Sequence, residues 1–170
     1  MTEPSSLPIG ECYLNAVKER FLEVKKNGEQ TFQQLSDQEL TWSPHDDSNS
    51  IAVIVKHMSG NMISRWTDFL TTDGEKLDRN RDDEFVNSIS THEELLVCWD
   101  KGWKVFLDEL DMLTPDDLLR TITIRNKPMS VIEAIERQMA HYAYHVGQIV
   151  FCAKLLLGDQ WQTLTIPRRK

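Results

Sequence analysis

A chain of 170 residues with a formal net charge of −8, 40% hydrophobic and 27% charged residues has the size and composition of one globular domain with its own core. That balance excludes disordered and collagen-like classes, and 19 Lys and Arg against 27 Asp and Glu remove the basic footprint that nucleic-acid binding requires. No stretch approaches the roughly 18 uninterrupted apolar residues of a membrane span, and Met1-Thr2-Glu3-Pro4 lacks the features of a secretory signal, so a cytoplasmic protein with no membrane or nucleic-acid partner is expected.

In chain order, a short N-terminus over residues 1–8 is expected to be flexible. Leu14, Val17, Phe21 and Val24 recur three and four apart and predict a first amphipathic helix. Ser36-Asp37-Gln38-Glu39 has the form of a capping box and opens a short helical turn that Trp42-Ser43-Pro44 closes. A second main helix starts after Ser50, with Ile51, Ile54, Val55, Met58, Met62 and Trp66 on its apolar side, and is expected to run to about Leu70. The charged stretch from Asp73 to Glu84 reads as a solvated connection.

Thr91-His92-Glu93-Glu94 is a second capping box, and Leu95, Leu96, Trp99, Trp103, Phe106 and Leu110 make a third main helix amphipathic. Thr114-Pro115-Asp116-Asp117 starts a short helix, and Thr121-Ile122-Thr123-Ile124 alternates as a strand does, giving a small strand pair before the last helix. Ser130-Val131-Ile132-Glu133 caps that helix, which reaches about Leu157 before Gly158, and residues 159–170 form a tail. The fold class expected is all-α: a single domain over 1–170, a four-helix bundle with short additional helices. Cys12, Cys98 and Cys152 lie in helical apolar patterns with no C-x-x-C spacing and read as reduced core residues.

From Gln138 to Ala153 the last helix contains no Asp, Glu, Lys or Arg, so it should be covered on nearly all sides, by the bundle or by a second subunit. A homodimer is expected on that ground. His141 and His145 sit within this stretch, four residues apart and thus on one helical face, close enough to hold one metal ion together. Two hydrogen-bonded core histidines are the competing explanation. His57 is the third candidate, on a strip of small and polar residues, Gly60, Asn61 and Ser64, that suggests a pocket floor. Three histidines bind a divalent metal and leave a position open for water or substrate. His45 and His92 fall where solvated surface histidines are the rule.

His57, with the run His141-Tyr142-Ala143-Tyr144-His145-Val146-Gly147-Gln148-Ile149, resembles the DinB-like metalloprotein family. Ile51 to Asn61 is similar to that family's second helix, and Trp161-Gln162-Thr163-Leu164-Thr165-Ile166-Pro167 to the tail of a bacterial subgroup, so the resemblance spans nearly the whole chain. It implies a four-helix bundle, commonly dimeric, with nickel, zinc, iron or manganese held by His57, His141 and His145. It implies no single reaction, since the family includes thiol transferases that use bacillithiol or mycothiol, isomerases and members without known activity.

Three neutral imidazoles leave a metal's charge uncompensated, which favours an anion at the open position and lowers the pKa of bound water or thiol. Asn61, one turn beyond His57, and Gln148, three residues beyond His145, are placed to orient the imidazoles and handle protons, or else to serve as polar core residues. Tyr142 and Tyr144 are expected to pack, and Trp42 and Trp66 are candidate aromatic walls. The function expected is a metal-dependent thiol S-transferase or hydrolase acting on a small electrophile, with a low-molecular-weight thiol as partner. The alternative is a non-catalytic metal-binding or structural bundle with a stress-response or interaction role.

Overall fold

The computed structural model describes residues 8–45 and 47–166. Most of the N-terminal segment expected to be flexible, and the last four residues of the tail, lie outside that range. Four long helices, α1 (Ile9–Phe32), α3 (Ile51–Trp66), α4 (His92–Met112) and α5 (Val131–Leu157), form the bundle, with the short α2 (Asp37–Thr41) between the first two. α1 packs on α5 and α4, and α3 packs on α4 and α5, so each long helix touches two neighbours and the four enclose one core.

The sequence signals for helix starts correspond to real caps. The Ser36, Thr91 and Ser130 hydroxyls each accept the backbone N–H three residues on, while Glu39, Glu94 and Glu133 reach back to the cap N–H. At its far end α5 stops at Gly158, whose φ of 52° is open to glycine at little cost. Phe21, Trp66, Trp103, Phe106 and Tyr142 meet edge-on at the centre of the core, with centroid separations from 4.4 to 6.0 Å.

α3 is shorter than its periodicity predicts. Thr67 is extended, Asp68 adopts a left-handed φ of 49°, and the chain reverses so that the buried Phe69 stacks on Trp66 at 4.3 Å. Burying an aromatic ring against a second one outweighs one more helical turn. β1 (Thr121–Ile124) and β2 (Lys127–Ser130) pair antiparallel with Ile124 opposite Lys127, and Ser130 then caps α5 directly. The tail to Ile166 lies back on the bundle: Gln34 exchanges hydrogen bonds with the backbone of Gln162 at 2.8 and 3.1 Å, and Lys154 sits over the Trp161 ring.

Two further expectations change. The stretch from Asp73 to Glu84 is not simply solvated, because Glu84 is buried and the Arg79 side chain is only 5% exposed. Cys12 is exposed on α1, while Cys98 and Cys152 are half-buried rather than core. The uncharged part of α5 buries Gln138, Tyr142, Val146, Ile149 and Ala153 inside the protomer but leaves Tyr144 and Phe151 63% and 62% exposed, followed by Leu155 at 59%. Among the described residues, α1 and α3 are the long helices packed on α5, and they cover one face of it. Among the described residues, no helix is long and apolar enough to cross a membrane.

Candidate metal centre

α3 and α5 run side by side and bring His57, His141 and His145 into one group, with a ligand atom from each within 4.8 Å of the others. His141 Nε2 lies 3.0 Å from His145 Nε2 and 3.4 Å from His57 Nε2. Metal–nitrogen bonds of about 2.0–2.1 Å place neighbouring ligand nitrogens roughly 3.0–3.4 Å apart in octahedral or tetrahedral arrangements, so the separations fit a divalent ion.

The opposite nitrogens decide which atoms face that centre. His57 Nδ1 lies 2.9 Å from the Glu84 carboxylate, and His145 Nδ1 lies 2.8 Å from Gln148 Oε1. Gln148 is itself oriented, because its amide nitrogen donates to the Tyr144 hydroxyl at 3.2 Å. Both acceptors require the proton on Nδ1, which leaves the Nε2 lone pairs of His57 and His145 pointing at the third imidazole. His141 Nε2 stands between them: carrying the proton it donates to His145 Nε2 at 3.0 Å, and without it the three lone pairs face a common point where a cation can sit. This group of three histidines can therefore hold a metal ion.

Electrostatics favour the same state. Burial, reinforced by the adjacent imidazoles of His145 and His57, pushes His141 down to about 3, and burial also lowers His145. Both are neutral at pH 7, as ligands must be. Burial would raise the Glu84 carboxyl, but hydrogen bonds from His57 and Arg79 outweigh it and hold the group below its ordinary value. One ligand thus carries a carboxylate behind it, and the centre is not the purely neutral set that three imidazoles suggest.

Gly60 explains how Glu84 reaches α3. A Cβ there would stand 2.3 Å from the Glu84 carboxylate oxygen, so only glycine admits the side chain. Ser64 binds the same connection, donating to Gly74 O at 3.0 Å and accepting the Lys76 N–H at 3.1 Å. Gly60 and Ser64 therefore seat a loop, while Asn61 from the same strip lines the cavity beside His57 and His141. Asn61 touches no imidazole: its Oδ1 accepts from Gln138 Nε2 at 3.0 Å and from the Tyr142 hydroxyl at 3.3 Å. Tyr142 is buried beneath the site, whereas Tyr144 is largely exposed, packs edge-on against the His145 ring at 5.2 Å and accepts from Gln148. Trp66 is core and Trp42 lies in a groove with Phe151 and Leu155, so neither walls the histidines. His45 is exposed, and His92 lies 3.7 Å from Asp37 at the start of α4.

Beside the histidines opens a cavity of about 230 Å³ lined by His57, Asn61, Gln138 and His141 together with five arginines. Neither Glu84 nor the arginines were visible as site residues from spacing. Phe85, stacked on His57 at 4.9 Å, directly follows the acidic run 82–84 and was the available sign that this run turns inward.

The family described as "Protein of unknown function (DUF1572)" matches residues 8–170. The chain belongs to this family. DUF1572 lies within the DinB-like superfamily, in keeping with the histidine run of α5 and the bundle. A search of curated proteins returns no match.

Two outcomes follow from this geometry. Glu84→Gln keeps an acceptor for His57 but removes the charge, and should weaken metal affinity roughly 10- to 100-fold in chelator competition while the helical circular dichroism stays native; unchanged affinity would mean that Glu84 serves the loop alone. For metal-free protein, unfolded histidines take up protons from about pH 6.5 downward, while in the fold burial holds His141 down to about 3 and lowers His145. The unfolded state then binds more protons, so thermal stability should fall as pH drops from 7.5 to 5.5. A melting temperature flat over that range would contradict the neutral, buried assignment.

Proposed function

We propose that this DUF1572 protein is a metal-dependent enzyme, a thiol S-transferase or hydrolase of the DinB-like type that acts on a small electrophile. The observation that carries the reading is the open side of the histidine group: the cavity meets His57 and His141 directly, so protein groups do not close the site as they do in structural metal centres. A divalent ion held by His57, His141 and His145, whether nickel, zinc, iron or manganese, supplies Lewis acidity that makes a thiol or water a competent nucleophile near neutral pH.

The chain's own residues do the rest. Glu84 and Gln148 fix the ring planes of His57 and His145, so little reorganisation is needed when a ligand enters. Gln138, Asn61 and Tyr142 form a buried hydrogen-bonded layer next to the imidazoles and hold the cavity floor rigid. In the transfer reaction a thiol sulfur bonds to the electrophilic carbon and the leaving group departs; in hydrolysis water takes the sulfur's place. Bacillithiol and mycothiol are the thiols to be tried first. We further propose a cytoplasmic homodimer, with Tyr144, Phe151 and Leu155 of α5 as the covered face.

Elemental analysis of protein purified without an affinity tag or chelator should give about one metal per chain, lost in each of His57→Ala, His141→Ala and His145→Ala. Protein that neither carries metal nor takes up nickel, zinc, iron or manganese would shift the reading to a structural bundle. Stoichiometric metal with no turnover across a panel of thiols and electrophiles would favour a binding role. Light scattering should give the mass of two chains, reduced to one by Phe151→Glu; a concentration-independent monomer would refute the dimer.

A further inference from the structure

The cavity beside the histidines is cationic in a protein of net charge −8. Its wall carries Arg65, Arg79, Arg81, Arg125 and Arg137, drawn from α3, the 73–85 connection, the hairpin turn and α5. Three of these are tethered. Arg79 donates to Glu84 at 2.7 and 2.8 Å, and Arg65 and Arg125 each donate to Glu75 at 2.8 Å. Asp73, the remaining carboxylate nearby, accepts backbone N–H groups of Glu75, Arg125 and Asn126 at 2.7 to 2.9 Å. Arg81 and Arg137 have no acidic partner among the described residues; Arg81 only lies over the Phe85 ring at 5.1 Å. Two guanidinium groups at one cavity, both exposed, are therefore left without an ion pair among the described residues.

The hairpin turn adds an independent sign. Arg125 and Asn126 both have positive φ, 55° and 58°, where Asn-Gly or Asp-Gly is the usual pair. An arginine held in left-handed backbone by Asp73 places its guanidinium on the cavity wall, and such a conformation persists only where surrounding contacts fix it. Guanidinium groups match carboxylate and phosphate oxygens in a planar, two-pronged geometry. The volume, about 230 Å³, falls below the roughly 300–1,000 Å³ of sites that take drug-sized ligands.

We propose that this cavity binds the oxyanion, carboxylate or phosphate, of a small-molecule substrate through Arg81 and Arg137, setting the rest of that molecule against His57 and His141. The inference deepens the enzymatic reading above and names its substrate class. Arg65, Arg79 and Arg125 shape the wall and Arg81 and Arg137 take the charge. An uncharged electrophile of the same size gains no charge-assisted hydrogen bond from either group and binds worse.

The test is calorimetric titration of the protein as purified with sodium succinate and, separately, with inorganic phosphate at low ionic strength. One or both should bind, with affinity falling as salt is added. Arg81→Gln combined with Arg137→Gln should weaken binding at least roughly tenfold, whereas Lys26→Gln with Lys104→Gln, an equal charge change on exposed faces of α1 and α4, should leave it unchanged. Succinate alone identifies a carboxylate ligand and phosphate alone a phosphate; both outcomes support the proposal. No binding of either, or equal binding by the two double variants, overturns it. Parallel metal analysis and titration of His141→Ala keep the two readings apart: arginine-dependent binding in metal-free protein sustains the anion site while the metal reading fails. Full metal without anion binding does the reverse.

Discussion

Glu84 is the contact on which the site is built. A carboxylate leaves water at a cost of several kcal/mol unless donors replace its hydration, and here His57 on α3 and Arg79 on the connection supply them. The same contact does two things. It fixes the imidazole tautomer that aims His57 at its partners, and it fastens residues 73–85 against α3, where Gly60 leaves the room. Were Glu84 to swing into solvent, His57 would lose its orientation and the cavity one of its walls. The pair links the chemistry of one ring to the position of a loop.

The fold was legible where local rules decide it. Three capping boxes mark helix starts to within a residue, the apolar repeats name the buried faces, and the alternation at Thr121–Ile124 foretells the hairpin. The histidines were legible too, because i and i+4 on a helix must share a face and an uncharged stretch cannot easily hold charged imidazolium. The rest was not, since it depends on long-range placement. Asp82, Asp83 and Glu84 are alike in sequence, yet one is buried, and only the position of the connection against Gly60 tells which. The arginines come from four segments far apart in the chain, and no local period brings them together. α3 stops early for a tertiary reason, the stacking of Phe69 on Trp66, and α5 keeps an exposed apolar face that its charge-free sequence flags without showing what covers it.

The charges are arranged on two length scales. The molecule as a whole is acidic and repels anions weakly at a distance, an effect that physiological salt screens within about 10 Å. At the cavity the sign reverses. An anion therefore gains little from long-range steering and most from the last few ångströms, where guanidinium geometry discriminates among oxyanions. The nearby positive charge also helps to keep His141 neutral, so the wall and the ligand set cooperate: what attracts an anion also disfavours a proton on the imidazole.

The imidazoles stand on two long helices locked into the core, while the opposing wall is a connection and a hairpin turn held by polar contacts. Such a division separates heritable variation into two compartments. Changes at 121–130, or at positions of 73–85 other than Glu84, would reshape the cavity wall with the histidine-bearing helices left in place, whereas changes on α3 or α5 would move the imidazoles themselves. Close resemblance in the helical bundle and its histidines is therefore a poor guide to what the neighbouring cavity wall admits.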